Sequence, residues 1–490
     1  MVYLQSFNPL IVVSLIPLIG IFVMLPISSS NYFLCRQIAL ITSCLSFLFS
    51  LLIWVKFDES SSFFQFVDTF ILFPYFNLHY IIGIDGISLF FVILTTLLIL
   101  LCILVSWGSI NYFFKEYLIS FLILEFILIQ VFIVLDLLLF YVFFESVLIP
   151  MFLIIGVWGS KKRKIRAAYQ LFLYTLVGSL LMLLALLYIY YLAGSTDLQI
   201  LWEYNFTEKM QIVLWIAFFA SFAVKIPMIP FHIWLPEAHA EAPTAGSVVL
   251  AGILLKIGGY GFLRFSLPMF PLACIYFSPL IFMLSVVAII YASFTTLRQI
   301  DLKKIIAYSS ISHMGFVTIG IYTLNIEGIE GSLLLMLSHG FISSALFFCV
   351  GVLYDRYQTR ILKYYSGLIQ VMPLFGVYFF IFTFANISFP GTSSFIGELL
   401  ILIGIFQLNF LLTFIMAFGM VLSAAYSVWL FNRLHFYTLK LHYFLKFQDI
   451  SRREFWIIFP LLFLLFWMGF YPNPFLNVVH FSVISLIEQF

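Results

Sequence analysis

Apolar runs of about 20 residues recur along the whole chain and restrict its fold more than any other feature of the sequence. Hydrophobic residues make up 64% of the 490 positions and charged residues only 9%, against about 25% charged residues in an ordinary soluble domain. So much apolar surface cannot be hidden in aqueous cores, which excludes a soluble globular enzyme. The runs also lack the strict alternation of outer-membrane barrel strands. We therefore predict an all-α polytopic membrane protein.

About 14 transmembrane helices are predicted from these runs. The spans, in chain order, are 8–28, 34–56, 84–107, 117–135, 137–157, 167–192, 211–232, 242–264, 273–296, 302–324, 329–353, 371–407, 409–433 and 455–472. Span 7 contains Pro227 and Pro230, and span 12 contains Pro390 within a run too long for one straight helix. Because proline removes a backbone donor, both spans are predicted to be broken helices. The moderately apolar tail, 473–490, is expected at a membrane interface.

Basic residues concentrate in every second loop of this arrangement. Eighteen of the 23 lysines and arginines fall on one side, namely Arg36, Lys115, Lys161, Lys162, Arg163, Lys164, Arg166, Arg298, Lys303, Lys304, Arg356, Arg360, Lys363, Arg433, Lys440, Lys446, Arg452 and Arg453. Only Lys56, Lys209 and Arg264 fall on the other side. The positive-inside rule places the basic side in the matrix or cytoplasm, so both termini are predicted to face outward. The net charge of +2 gives no reason to expect a nucleic-acid partner.

Six ionisable side chains are predicted at membrane depth, and they are the strongest functional signal. They are Glu145, Lys225, Lys256, His313, His339 and Glu398. A charged group in a span costs about 2.5–3.5 kcal/mol on insertion scales, so pairing, hydration or function must offset the cost. Two unit charges ~5 Å apart at an effective dielectric constant of ~20 interact by roughly 3 kcal/mol. Moving a partner away could discharge a lysine, which is the chemistry of a proton relay.

Simpler interpretations apply to parts of this pattern. A Glu–Lys pair can neutralise itself in a helix bundle without any transport role. His232, at the end of span 7, is predicted as a further relay group. A metal site is the alternative, and it is not expected because Pro236 separates His232 from His239. The remaining ligands would be Glu237 and Glu241.

Other polar residues suggest local roles. Asp85 is expected to cap span 3, and Asp136 is expected to be a cap or to be solvated. The role of Glu125 is left open. The five cysteines are scattered and form no CxxC pair, so an iron–sulfur or zinc site is not expected.

The breaks in spans 7 and 12 lie five helices apart, which suggests an internal repeat. Spans 4–8 and 9–13 would then be two inverted five-helix repeats, because each unit contains an odd number of spans. The predicted organisation is a three-helix segment over 1–110, repeats over 111–265 and 270–435, and a C-terminal helix and tail over 436–490.

Four stretches carry a family resemblance. They are FYVFFESVLIPMF, FAVKIPMIPFHIWLPEAHAEAPTAGSVVLAGILLKIGGYG, LRQIDLKKIIAYSSISHMGFVTIG and FANISFPGTSSFIGELLIL. From span 3 onward the chain resembles the antiporter-like membrane subunits of proton-pumping NADH:ubiquinone oxidoreductase, respiratory complex I. The glutamate at position 398 makes the chain resemble the subunit 4 branch of this family, because sister subunits 2 and 5 and Mrp-type antiporters typically carry lysine at that position.

This resemblance implies a role for each site residue. Glu145 and Lys225 would be the membrane ion pair, Lys256 the central relay lysine, and Glu398 the terminal carboxylate. The hydrated axis between them would include three histidines, His232, His313 and His339. The implied fold has 14 helices with inverted repeats, in agreement with the count from hydropathy.

The implied function is proton translocation without redox chemistry in this chain. NADH, FMN, iron–sulfur clusters and ubiquinone are expected in partner subunits, and no cofactor is expected here. The expected partners are membrane-arm subunits, especially sister subunits 2 and 5, together with lipids. The expected location is the mitochondrial inner membrane, with both termini in the intermembrane space; a bacterial plasma membrane is the alternative.

Three competing functions stay open at this point. A free-standing Mrp-type cation/proton antiporter would be expected to carry lysine at position 398. A structural scaffold would tolerate neutralisation of its buried charges. A membrane chain of an ion-pumping hydrogenase would be distinguished only by its partners.

Overall fold

The computed structural model describes residues 8–74, 77–110, 112–439 and 447–490, and helices dominate them. The α-helices are α1 Pro9–Met24, α2 Tyr32–Lys56, α3 Gly86–Val105, α4 Phe114–Ile133, α5 Leu137–Ser146, α6 Leu148–Trp158, α7 Lys164–Ala193, α8 Leu198–Glu203, α9 Glu208–Lys225, α10 Trp234–Glu241, α11 Thr244–Val249, α12 Leu255–Gly261, α13 Leu267–Met269, α14 Pro271–Arg298, α15 Leu302–Tyr322, α16 Ile326–Tyr357, α17 Pro373–Asn386, α18 Ser393–Leu408, α19 Phe410–His435, α20 Arg452–Phe470 and α21 Asn473–Ile487. Two π-helical turns, π1 Leu250–Leu254 and π2 Phe262–Ser266, join α11, α12 and α13 into one continuous span.

Eleven helical segments of the described chain are long and apolar enough to cross a membrane. The shorter α1 and the broken pairs α9/α10 and α17/α18 are the further candidates that the prediction of 14 spans requires. The breaks predicted in spans 7 and 12 are confirmed, since helix stops at Lys225 and at Asn386 and resumes after a turn. The exact number of spans and the inverted repeats stay predictions.

A β-hairpin departs from the all-α prediction. Strands β1 Gln65–Phe73 and β2 Leu78–Ile84 pair antiparallel between α2 and α3. Both strands are rich in β-branched and aromatic residues, which favour a pleated surface. The hairpin lies almost entirely between the predicted spans 34–56 and 84–107, where no secondary structure is predicted from the sequence.

The loops gather at two ends of the bundle, as the predicted topology requires. At one end, which we call the basic face, Ser160 donates a backbone bond to Glu241 and Asp301 pairs with Ile361. The other end, the opposite face, carries the hairpin, and there Leu135 donates to a β2 carbonyl. Which face lies toward the matrix stays a prediction.

Two spans are fully enclosed by the rest of the chain, and they position the candidate site. These are α16 and the continuous span Thr244–Met269. Helix α16 packs against α15 and α18 along its length and also contacts α3, α11 and α17. The surrounding helices α2, α7, α14 and α19 bury only one side. Ionisable groups on the enclosed spans are therefore shielded from lipid on all sides.

The tail predicted at a membrane interface forms a helix that packs on the rest of the chain, and its position relative to the membrane stays a prediction. Helix α20 meets the last turns of α16, where Arg356 Nη2 lies 2.5 Å from Glu454 Oε2. Helix α21 meets the first turns of α16, where His480 Nδ1 lies 2.6 Å from Glu330 Oε1. Since α16 runs the full height of the bundle, α20 and α21 follow it end to end.

We predict that Gly86→Ala destabilises the fold, because an added Cβ would collide with the Val478 backbone carbonyl of α21. Overpacking of this kind costs about 1–3 kcal/mol. The matched control is Gly156→Ala, whose Cβ would meet only Ala168, at 3.9 Å. Thermal unfolding of the purified protein should show a lower Tm for the first variant alone. Equal Tm values for the two variants would contradict the close packing of α21.

Candidate functional site

Lys256 lies at the centre of the enclosed span and is fully buried. Its Nζ donates to the carbonyl of Ala251 at 2.6 Å and lies 2.8 Å from Nδ1 of His339. Ala251 belongs to π1, whose i→i+5 pattern widens the turn and frees a carbonyl. The π turn therefore supplies a fixed acceptor for a lysine whose side chain is fully buried.

Two histidines and a carboxylate continue from Lys256. The rings of His339 on α16 and His313 on α15 have centroids 5.7 Å apart. His313 Nδ1 lies 3.1 Å from Oε1 of Glu398 on α18. The other ring nitrogen of His313 is buried without a hydrogen-bond partner. The four predicted residues thus form one buried series, Lys256–His339–His313–Glu398, which we call the central series.

The break in span 12 brings Glu398 to this depth. Helix α17 ends at Asn386, and the chain turns through Gly391, whose φ of +94° is a conformation that favours glycine. Ser394 Oγ donates to the carbonyl of Ala385 at 2.6 Å and so satisfies an acceptor that the break releases. Glu398 lies in the second turn of α18 and is buried.

Lys225 is the last residue of α9, where Pro227 interrupts the backbone ladder. The indole of Trp234 donates to the freed carbonyl of Val224 at 3.0 Å. Lys225 Nζ lies 4.3 Å from the ring centroid of Phe144 and 3.4 Å from the carbonyl of the same residue. A lysine held against an aromatic face and a carbonyl is stabilised without a full counterion.

Glu145 is next to Phe144 but makes no ion pair with Lys225 among the described residues. Helix α5 ends at Ser146 because Pro150 has no N–H for the Ser146 carbonyl. Oε1 of Glu145 is buried without a hydrogen-bond partner. The predicted ion pair is therefore not formed as a direct contact, and Lys225 contacts Phe144, the residue before Glu145, instead.

His232 is separate from the central series. It lies in the turn between α9 and α10, with its ring centroid 5.7 Å from that of Tyr291 and 6.4 Å from that of Tyr308. Its Nδ1 is buried without a partner. No hydrogen bond joins it to another predicted relay residue in the part of the chain that is described.

Several buried charges were missed by the sequence analysis because they lie at the ends of apolar runs and looked like loop residues. Lys303 is almost fully buried and donates to the carbonyl of Ala242 at 2.7 Å. Arg360 is also buried, with its guanidinium 2.8 Å from Glu241 and 3.1 Å from Asp301. Burial raises the pKa of Asp301, and the Arg360 charge opposes that rise.

Four other polar residues of the spans and loops make defined contacts. Asp85 caps α3 as expected, and it also binds Arg264. Asp136 caps α5 by accepting from two backbone amides. Glu125 is fully buried and accepts a hydrogen bond from Ser46 on α2. Among the described residues no group of three or more His, Cys, Asp or Glu side chains could hold a metal ion, and His239 stacks on Phe347 with centroids 4.7 Å apart.

Comparisons with known proteins give consistent matches. Residues 134–467 match a family model described as the transmembrane part of NADH:quinone oxidoreductase and Mrp antiporter subunits. The chain is 73% identical to NADH-ubiquinone oxidoreductase chain 4 of Chondrus crispus, with 99% of both chains covered. It is 62% identical to chain 4 of Marchantia polymorpha, with 97% of this chain and 96% of the relative covered.

Solved structures show the same architecture. A chain of respiratory complex I from Thermus thermophilus superposes with a TM-score of 0.89 at 28% identity, covering 98% of this chain and 99% of that one. A chain of an archaeal membrane-bound sulfane sulfur reductase shares the fold, with a TM-score of 0.85 at 21% identity, covering 95% of this chain and 76% of that chain.

We predict that Lys256→Met lowers the free energy of unfolding by only about 1–3 kcal/mol, because it removes a buried amine but leaves the Ala251 carbonyl without its donor. Arg360→Met should instead lower the free energy of unfolding by about 3–5 kcal/mol, because Glu241 and Asp301 would lose their buried partner. Thermal unfolding of the two variants checks this contrast. A larger loss for Lys256→Met would mean that this lysine is mainly structural.

Proposed function

The chain belongs to the membrane-subunit family shared by NADH:quinone oxidoreductases and Mrp antiporters, and we propose that it moves protons through a relay of its own buried side chains. It is a chain 4-type subunit of complex I, an H+-translocating NADH:quinone oxidoreductase, and its relatives of 62–73% identity are eukaryotic. It is a multi-pass membrane protein of the mitochondrial complex. The orientation with both termini in the intermembrane space is part of the proposal.

The central series carries the proposal. Two pairs of the series are within hydrogen-bond distance, namely Lys256 with His339 and His313 with Glu398. The rings of His339 and His313 lie next to each other and connect the two pairs. Each can hold or release a proton near neutral pH in a suitable environment. All four are less than 5% exposed, so a proton placed on one of them can leave only along the series or through transient water.

Glu145 and Lys225 would control the entry to this series. Lys225 and Lys256 lie on packed helices, α9 and α12, but they share no hydrogen bond. Water must therefore bridge them when a proton passes. Movement of Glu145 toward Lys225 would hold the ammonium, and movement away would favour its discharge. His232 would supply protons from the basic face, between Tyr291 and Tyr308.

The energy for transport would come from partner subunits. Moving one proton outward against about 180 mV requires roughly 4 kcal/mol. We propose that NADH oxidation through FMN and iron–sulfur clusters, and ubiquinone reduction, occur in those partners. Sister subunits 2 and 5 are the proposed neighbours in the membrane arm, and lipids would fill the remaining perimeter.

The first test is NADH-driven proton pumping by the assembled complex in closed vesicles. With Lys225→Ala we expect both pumping and NADH oxidation to fall at least tenfold, because the entry step is coupled to electron transfer. The matched control is Lys209→Ala, an exposed lysine at the start of the same helix, which should leave both activities unchanged. Wild-type pumping by an assembled Lys225→Ala complex would contradict the relay and favour a scaffold. Oxidation with partly reduced pumping would show that other subunits pump independently.

A second test concerns the end of the series. Glu398→Gln keeps the size of the side chain and a hydrogen bond to His313 but removes the titratable carboxyl, so we expect a loss similar to that of Lys225→Ala. Glu208→Gln, on an exposed position of α9, is the control and should be silent. Glu398→Lys should retain part of the activity, because sister subunits typically carry lysine there. Normal pumping by Glu398→Gln would remove Glu398 from the relay.

A further inference from the structure

A buried ion pair closes the span of Lys256 toward the opposite face. Arg264 lies two turns beyond Lys256 and is only 3% exposed. Its Nη2 lies 2.5 Å from Oδ1 of Asp85, the residue that caps α3. The guanidinium also lies 4.9 Å from the ring centroid of Phe64 in the hairpin segment and 5.9 Å from that of Trp202 on α8. Three separate parts of the chain therefore contact this one charge.

Tyr260 lies between Lys256 and Arg264, and both hydrogen-bonding roles of its hydroxyl are occupied. The hydroxyl donates to the carbonyl of Phe132 at 3.1 Å and accepts from Nε of Arg264 at 3.2 Å. A guanidinium only donates and does not lose its proton, and a backbone carbonyl only accepts. The hydroxyl is therefore fixed in one orientation and cannot receive a proton from one side and pass it to the other.

Aromatic rings exclude water from the same level of the span. The Tyr260 ring lies 5.2 Å from Phe132, and Phe132 stacks on Phe91 at 5.3 Å between centroids. Phe140 packs on Phe265, in π2, at 4.2 Å. All of these rings are at most 1% exposed. We call these rings and the Tyr260 hydroxyl the aromatic collar.

Beyond the collar the surroundings become polar. A cavity of about 30 Å³ lies on the far side of the ion pair, large enough for about one water molecule. Its polar lining consists of Ser62, Asp85, Arg264, Ser482, Ser485 and Gln489. A water molecule in this cavity would lie beside both Asp85 and Arg264, so the guanidinium is the charged group between that water and Lys256.

We propose that Arg264, paired with Asp85 and backed by the aromatic collar, is a proton seal that prevents Lys256 from exchanging protons directly with the opposite face. This inference rests on the proposed relay, because a seal matters only if Lys256 carries protons. A proton that arrives at Asp85 meets a fixed positive charge, and beyond it a hydroxyl with no free hydrogen-bonding position. Protons on Lys256 are thereby directed along His339 and His313 to Glu398.

A purely structural role would not need a guanidinium here. A buried ion pair can often be replaced by neutral side chains without loss of stability, so neutralising both partners separates charge from packing. Asp85→Asn combined with Arg264→Gln places two neutral amide side chains, each able to donate and accept hydrogen bonds, between α3 and the Lys256 span, with glutamine shorter than arginine. The double variant should therefore assemble, while the fixed charge is gone.

The test is passive proton flux through the assembled complex in liposomes, without NADH, after a pH gradient is imposed and the membrane potential is clamped. Entrapped pyranine reports the flux. We expect the double variant to conduct protons more than about twofold faster than the wild type and to pump fewer protons per NADH oxidised, because the guanidinium, which cannot pass on a proton, is gone. The two substitutions together leave the net charge of the site unchanged, so a faster flux reports the loss of this group and not a change in the local potential. Flux within twofold of the wild type would overturn the seal.

Two further variants keep the test decisive. Arg264→Lys retains the charge and the pairing with Asp85 but can lose its proton, so it should leak more than the wild type; if the double variant does not assemble, a wild-type flux in Arg264→Lys overturns the proposal. Adding Lys256→Met to a leaking variant should abolish the extra flux. Persistent flux would show a route that avoids Lys256 and would also overturn it.

These results separate the seal from the relay. The passive measurement needs no turnover, whereas the relay is judged by NADH-driven pumping in Lys225→Ala. Loss of pumping in Lys225→Ala with normal passive flux in the Arg264 variants would leave the relay standing and reject the seal. Normal pumping in Lys225→Ala would reject the relay, whatever the Arg264 variants do.

Discussion

A hydrocarbon environment offers no hydrogen bonds to an interrupted helix, and this constraint governs where the chain can deviate from regular α-helix. The break after Lys225 is satisfied by the indole of Trp234, and the break after Asn386 by the hydroxyl of Ser394. The π turn at Ala251 is satisfied by Lys256 itself. In each case a side chain donates a hydrogen bond to a backbone carbonyl at the irregular turn, and the turn also holds that side chain in place. The relay residues and the broken helices are therefore two aspects of one arrangement, and both depend on α16 and its neighbours to exclude lipid.

Much of this arrangement could be predicted from the sequence, since the signals are local. Pro227 and Pro390 predict the breaks, and charged residues deep in apolar runs predict the central series. Asp85 as a cap follows from its position before an apolar run. The concentration of basic residues in every second loop predicts which loops lie at the same end of the bundle. The contacts of Ser160 with Glu241 and of Asp301 with Ile361 join loops of one such end.

The rest depends on tertiary contacts that no local pattern encodes. Nothing in LAGILLK indicates a π turn, so the acceptor for Lys256 could not be foreseen. Arg264 and Lys303 lie at the ends of apolar runs, where a charge is normally solvated; they are buried because the hairpin, α8 and α11 cover them. The predicted ion pair between Glu145 and Lys225 is replaced by contacts of Lys225 with the ring and the carbonyl of Phe144.

The contact between α21 and the start of α3 has a consequence for biosynthesis. Gly86 donates its backbone N–H to Ser482, 396 positions later in the chain. During translation the earlier helices enter the membrane while this amide, beside the Asp85 cap, still lacks its cover. The ends of so long a segment meet only at an entropic cost, which the packing of α21 must repay. A nascent chain interrupted before α21 would leave the Gly86 amide without its partner and the start of α3 uncovered. Quality-control proteases could recognise this exposed surface before the subunit joins its complex.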